Sequence, residues 1–167
     1  MSTLDWSDAL SLDLPAMDDT HREFVQLLAG VEDAPDAQLL ATWSALIVHT
    51  DAHFGQEDRW MRDTHFASSN CHSTQHQVVL QVMREGEAMG LSGKTDLIRP
   101  LARELAQWFP QHAQSMDAAL ALHLRGVGYD VASGAVARPE ALPANMIHGC
   151  GSAACSPSHD SLEPASA

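Results

Sequence analysis

Residues 36–62 read DAQLLATWSALIVHTDAHFGQEDRWMR, and this stretch decides the fold class. Its apolar residues recur at steps of three and four, which is the spacing of one buried face of an α-helix. That face carries Leu39, Trp43, Leu46, Ile47, Phe54, Trp60 and Met61. Pro35 and Asp36 mark its start, and the polar residues at 68–70 interrupt the pattern. A helix with one apolar face needs other helices to cover that face.

Three further segments have the same spacing of apolar residues. They run from about Asp19 to Glu32, from about Cys71 to Ala88 and from about Asp96 to Leu124. The connections between the four segments are short, and short connections join helices that lie antiparallel. The sequence therefore predicts an all-α fold, an up-down-up-down antiparallel four-helix bundle.

Both ends of the chain lack the helical spacing of the four predicted helices. Residues 1–17 hold apolar side chains without sustained helical spacing, and we expect an N-terminal arm that lies over the bundle. Residues from Val131 onward are rich in Ala, Ser, Pro and Gly and contain no aromatic side chain. This composition is typical of low-complexity segments that form no core. We therefore predict a bundle domain over residues 1–129 and a disordered C-terminal tail over residues 130–167, with Cys150 and Cys155 in the tail.

The charge balance excludes several classes of partner. The chain has 9 Lys and Arg against 22 Asp and Glu, a formal net charge of −13. Such a surface repels nucleic acids and anionic membranes, so we expect neither as a partner. The first 21 residues contain no Lys or Arg, unlike a secretory signal, and we expect a cytoplasmic protein. The three cysteines lack the spacing of a disulfide framework, and we expect Cys71 to be a small buried thiol.

Histidine is the unusual residue of this sequence, with ten copies. Five histidines and two acids fall on the predicted helices, and all four helices contribute at least one of them. They are His21 on the first helix, His53 and Glu57 on the second, His72 and His76 on the third, and His112 and Asp117 on the fourth. Residues four apart lie on one face of a helix, which applies to the pairs on the second and third helices.

Burying five imidazoles and two carboxylates without a shared partner would cost several kcal/mol, and a shared metal removes that cost. The set has too many ligands for one tetrahedral zinc ion and too many nitrogens for calcium or magnesium. Two octahedral transition-metal ions fit better, either iron or manganese. Suppose that Glu57, Asp117 and a solvent oxygen each bridge both ions. Three histidines then complete the six-coordinate shell of one ion, whereas two histidines leave one coordination position of the other ion open. An open position enclosed by apolar side chains suits a small neutral molecule such as dioxygen.

The seven residues also carry a resemblance to a known family. A lone His on the first helix, His-x-x-x-Glu, His-x-x-x-His and His-x-x-x-x-Asp form the signature of the hemerythrins, and the pattern resembles their single-domain bacterial members in particular. The resemblance covers about Trp6 to Tyr129 and includes Phe54, Asp58 and Trp108 beside the seven positions. It implies two iron ions with an oxo or hydroxo bridge.

The resemblance also implies a role for each residue and for the protein. It assigns His72, His76 and His112 to one iron, His21 and His53 to the iron that takes up oxygen, and Glu57 and Asp117 to the bridges. The implied function is reversible dioxygen binding, for transport, storage or sensing, by a protein that is not an enzyme. The alternatives are a di-iron oxidase or peroxide-handling enzyme and an iron-handling or signalling module. The two Glu-x-x-His pairs typical of the carboxylate-rich di-iron proteins are not present.

Two features of the fourth helix depart from a regular helix. Pro110 removes a backbone hydrogen bond two residues before His112, and we expect it to kink the helix. His112 and Asp117 are five residues apart, which places them about 140° apart around an ideal α-helix. Helical periodicity alone therefore does not direct both side chains to one centre, and their pairing rests on the family signature.

Overall fold

A computed structural model describes residues 3–66 and 71–145 of the chain. Five α-helices account for most of these residues: α1 (Pro15–Asp33), α2 (Asp36–Asp63), α3 (Cys71–Leu91), α4 (Ile98–His112) and α5 (Ala118–Val127). A π-helical turn, Ala113–Asp117, joins α4 to α5 without a break, so the two form one long fourth helix. The predicted all-α four-helix bundle is confirmed.

The helices begin and end close to the predicted positions. The largest difference is at the start of α1, which begins at Pro15 rather than near Asp19. Proline suits the first helical position because its missing N–H would have no partner there. The predicted arm is therefore shorter than expected. It still crosses the bundle, where the buried carboxylate of Asp18 accepts hydrogen bonds from Ser11 Oγ (2.7 Å) and the Leu12 amide (2.8 Å).

Two apolar clusters fill the bundle and leave a polar layer between them. The larger cluster includes Phe24, Leu28, Leu39, Trp43, Leu46, Met83, Ile98, Leu105 and Phe109. The smaller cluster, toward the other end, includes Met17, Trp60, Met61, Phe66, Leu120 and Leu124. On α1, the residues of the two clusters are separated by the turn that carries His21. The fold therefore places the predicted site residues between two dry layers.

Two glycines, Gly30 on α1 and Gly86 on α3, have opposite surroundings and provide a test of this packing. A methyl group at Gly30 would meet nothing within 4 Å, whereas one at Gly86 would lie 2.5 Å from Leu101 Cδ1. We expect Gly30→Ala to raise the free energy of unfolding by about 0.5–1 kcal/mol because alanine loses less backbone entropy in a helix. We expect Gly86→Ala not to show this gain, because the added methyl group has to displace the Leu101 side chain at a packing cost of about 1 kcal/mol or more. Thermal unfolding would measure both, and equal effects would contradict the packing.

The C-terminal part of the described chain folds back onto the bundle. Val136, which the sequence places in the tail, forms an antiparallel β-bridge with Tyr129. The Tyr129 hydroxyl donates to Asp63 (2.9 Å), and the Pro143 carbonyl lies 3.1 Å from His65 Nδ1. The domain boundary near residue 129 stays a prediction, and Cys150 and Cys155 lie outside the described residues.

Cys71 differs from its expectation. It begins α3, is half-buried, and takes part in a disulfide bond. The expectation of a small buried thiol is therefore wrong, because the side chain at the first position of the helix is not enclosed by the core.

Within residues 3–66 and 71–145, no helical segment has the length and hydropathy that crossing a lipid bilayer requires.

Candidate metal centre

The seven predicted site residues meet in the polar layer of the bundle. α1 contributes His21, α2 contributes His53 and Glu57, α3 contributes His72 and His76, α4 contributes His112, and the π-helical turn contributes Asp117. Every one of these side chains is buried. All the helices of the bundle therefore take part in one enclosed cluster.

The two oxygens of Glu57 face different histidines. Oε1 lies 2.9 Å from Nε2 of His53 and 3.8 Å from Nε2 of His21. Oε2 lies 3.3 Å from Nε2 of both His72 and His76. One carboxylate therefore stands between two separate sets of imidazoles.

Asp117 repeats this arrangement from the fourth helix. Its Oδ2 lies 3.3 Å from Nε2 of His21, while Oδ1 lies 2.9 Å from Nε2 of His72 and 3.2 Å from Nε2 of His112. The donor atoms thus fall into a two-histidine group and a three-histidine group. Candidate ligand atoms in each group lie within 4.8 Å of one another, and Glu57 belongs to both groups.

The π-helical turn explains how His112 and Asp117 reach the same cluster. A π-helix forms i→i+5 hydrogen bonds, so residues five apart lie above one another, as residues four apart do in an α-helix. The turn covers Ala113–Asp117, directly after His112. α4 continues through Pro110, and the amide of Ala113 still reaches the Phe109 and Pro110 carbonyls. The irregular turn therefore removes the angular mismatch that the five-residue spacing creates in a regular helix.

Two ligand candidates have hydrogen-bond partners outside the cluster. Nδ1 of His76 lies 3.1 Å from Asp58 Oδ1, and Nδ1 of His112 lies 3.1 Å from Gln75 Oε1. Asp58 was already part of the sequence resemblance, whereas Gln75 was not singled out. The only sequence signal for Gln75 is its place beside His76, because its partner lies 37 residues away on another helix.

Aromatic rings enclose the same two imidazoles. Phe54 stacks on His76 with a centroid distance of 4.0 Å, and Trp108 stacks on His112 at 4.4 Å. Trp43 and Trp60 are buried core side chains, as predicted. Trp108 differs from them because it is half-buried and contacts the site directly.

Comparison with known proteins identifies the family. The family model described as the hemerythrin HHE cation binding domain matches residues 12–122. The chain belongs to the hemerythrin family. It is 36% identical over 137 residues to a bacteriohemerythrin of Ralstonia nicotianae, covering 82% of this chain and all of that protein. It is 25% identical over 122 residues to a bacteriohemerythrin of Pseudomonas aeruginosa, covering 71% of this chain and 79% of that protein. No solved structure matches the chain significantly.

The hydrogen bonding of this hemerythrin's cluster shows that its residues fit bound cations. Hydrogen-bond geometry joins His53 to Glu57, but ten other buried nitrogen and oxygen atoms of the seven residues have no hydrogen-bond partner in the described part of the chain. Buried polar atoms are normally paired, and unpaired ones are costly. Lone pairs that face one another at about 3 Å without hydrogen-bond geometry suit ions placed between them. A cluster of imidazole nitrogens and carboxylate oxygens is a donor set for transition metals.

The pKa values in the cluster are set by burial and by nearby charged groups, which act in opposite directions. Burial alone would lower the pKa of His21 and His72, but the carboxylates of Asp117 and Glu57 outweigh it and raise the two values to about 9 and about 10. Burial alone would raise the pKa of Glu57 and Asp117, yet the surrounding histidines hold both values well below their usual range. Without metal, protons on the histidines therefore compensate the charge of the carboxylates.

His49 lies beside the cluster but outside both groups. Its Nε2 is 3.2 Å from the Thr20 carbonyl, and its ring centre is 6.2 Å from that of His53. Burial and the neighbouring His53 lower the pKa of His49. This histidine therefore links α2 to the backbone of α1, next to His21.

Proposed function

We propose that this hemerythrin holds two iron ions and binds dioxygen reversibly. In this proposal His72, His76 and His112 bind one ion, and His21 and His53 bind the other. Glu57 and Asp117 bridge the ions, and an oxo or hydroxo group forms a third bridge. The proposal is supported chiefly by the way each carboxylate divides its two oxygens between the two groups of imidazoles.

The unequal number of histidines supports a binding function. Three imidazoles, two carboxylate oxygens and one bridge make six donors, which complete an octahedral ion. Two imidazoles with the same bridges make five donors, so one position stays available beside His21 and His53. When bound, the iron pair supplies the two electrons that reversible oxygen uptake requires.

Apolar side chains pack against His21 on the two-histidine side of the cluster. The ring of Phe109 meets His21 edge-on at 5.1 Å and stacks on Phe24 at 4.7 Å. Both phenylalanines are 1% exposed. An enclosed apolar wall excludes water and bulky substrates but admits a small neutral molecule. This favours oxygen transport, storage or sensing over the conversion of a larger substrate.

Anaerobic reduction followed by air tests the proposal. We expect two irons per chain by metal analysis and an absorption band that forms with oxygen and disappears when oxygen is removed. The reason is that an enclosed site returns the gas rather than releasing reduced oxygen species. Rapid conversion to the ferric form with release of hydrogen peroxide would instead support an oxidase. Manganese in place of iron in the isolated protein would contradict the proposed cofactor.

A further inference from the structure

Gln75 connects His112 to Trp108 through a single oxygen atom. Oε1 of Gln75 lies 3.1 Å from Nδ1 of His112 and 3.3 Å from Nε1 of Trp108. The three side chains line an open groove of about 300 Å³ together with Gln111 and Ser115. No residue of the seven-membered cluster other than His112 lines this groove.

The chemistry of Trp108 determines how these side chains are oriented. An indole nitrogen can only donate a hydrogen bond, so the Gln75 atom that faces it has to be the amide oxygen. The same oxygen faces Nδ1 of His112, and that nitrogen therefore carries the proton. Nε2 of His112 is then the nitrogen with a free lone pair, and it lies 3.2 Å from Oδ1 of Asp117. A donor-only indole thus selects the imidazole tautomer that a metal ligand needs.

The other four histidines of the cluster differ from His112 at Nδ1. Asp58, a carboxylate, faces Nδ1 of His76, whereas Nδ1 of His21, His53 and His72 has no hydrogen-bond partner among the described residues. Hydrogen bonds from Nδ1–H to an acceptor make an imidazole a stronger electron donor to its metal. Both such hydrogen bonds belong to the three-histidine group. Two ions held by these groups would therefore be chemically unequal beyond their number of histidines.

We propose that Gln75 is a positioning residue of the metal centre. It holds His112 in the Nδ1–H tautomer and, through the strength of that hydrogen bond, adjusts the balance between ferric and ferrous iron at the three-histidine side. The iron-dependent part of this inference rests on the proposed function. The tautomer part rests on Gln75, Trp108 and His112 alone.

Variants at position 75 separate a hydrogen-bond effect from a packing effect. Gln75→Leu removes the acceptor, and Gln75→Glu replaces a neutral acceptor with a carboxylate. At a fixed applied potential, we expect Gln75→Glu to raise the ferric-to-ferrous ratio by about tenfold, which equals about 59 mV for a one-electron couple. We expect Gln75→Leu to lower the ratio and to weaken Fe²⁺ binding by about tenfold or more. Gln111→Leu is the matched control, since it makes the same replacement in the same groove, and should change neither quantity.

The test depends on the directions in which the two position-75 variants shift the ferric-to-ferrous ratio, which should be opposite. If both position-75 variants shift the ratio in the same direction, or neither differs from Gln111→Leu, the inference is wrong. A second measurement needs no iron: long-range ¹H–¹⁵N correlation spectra of the metal-free chain should show the Nδ1–H tautomer of His112 in the wild type and in Gln111→Leu, but not in Gln75→Leu. If the wild type binds no iron, the proposed function fails while this spectrum still tests Gln75.

Discussion

Glu57→Ala is expected to abolish the binding of both iron ions and to lower the melting temperature of the protein as isolated. The Glu57 oxygens face four of the five histidines of the cluster, at 2.9 to 3.8 Å, so a single substitution removes a ligand from each ion. Metal that binds only the folded chain stabilises it by about 4 kcal/mol when its free concentration is about 1,000 times its dissociation constant. Metal analysis and thermal unfolding of the purified variant would measure both losses.

Two further variants make this test specific. Glu104→Ala removes an exposed glutamate from the fourth helix and should keep two irons and the wild-type melting temperature. His53→Ala removes a ligand from the two-histidine group alone, so the three-histidine group should retain its ion. A Glu57→Ala protein that still holds two irons per chain would contradict the proposed bridging role.

The metal-free form is expected to lose stability at alkaline pH, whereas the iron-loaded form is not. In the folded, metal-free chain the pKa of His21 is about 9 and that of His72 about 10, both above the ordinary value of 6.5. Their contribution to stability is therefore complete below pH 6.5 and is lost as the pH rises through the folded values. The pKa values of Glu57 and Asp117 are lowered in the folded state, so the stability that these two carboxylates contribute is lost as the pH falls into the acid range.

Bound iron removes the alkaline loss of stability, because the metal-bound histidines carry no protons that a rise in pH could remove. A metal ligand has to be a neutral imidazole, so protons compete with the ion and binding strengthens as the pH rises. We expect the difference in melting temperature between the iron-loaded and metal-free forms to widen from about pH 6 to about pH 9, by an amount that corresponds to several kcal/mol. Thermal unfolding of both forms across this range would measure it.

One variant and one control test which histidines cause the alkaline loss of stability in the metal-free form. His72→Gln should weaken the alkaline loss of the metal-free form because it removes the group whose pKa is raised to about 10. His49→Gln should leave that loss unchanged, since the pKa of His49 is lowered and its titration is complete at lower pH. Parallel pH profiles for the iron-loaded and metal-free forms would show that the cluster does not bind the metal.

Local spacing was sufficient to predict most of the fold. The apolar stripe of α2 and the matching stripes of the other segments predicted four helices, with ends within a few residues of those found. The reason is that helix formation and burial of one face depend on neighbours three and four positions away. The same rule placed His53 with Glu57, and His72 with His76, each on one face.

The chain ends and Cys71 were harder to predict because their surroundings come from distant segments. Residues 130–145 have the composition of a tail, yet the Pro143 carbonyl lies 3.1 Å from Nδ1 of His65. Cys71 is apolar enough for a core, but its position at the start of α3 leaves it half-buried and in a disulfide bond. Composition indicates whether a segment tends to fold, whereas its actual contacts depend on residues far away in the sequence.

The sequence by itself determined the four helices, the family signature and the seven candidate ligands. The tertiary structure decided how the two oxygens of each carboxylate divide between two groups of histidines, because that division depends on side chains from all the helices at once. It also decided the π-helical turn that brings Asp117 under His112, since a regular helix with the same spacing turns them apart. Gln75 belongs to this second class: its oxygen meets His112 and Trp108 only when α3 packs against α4.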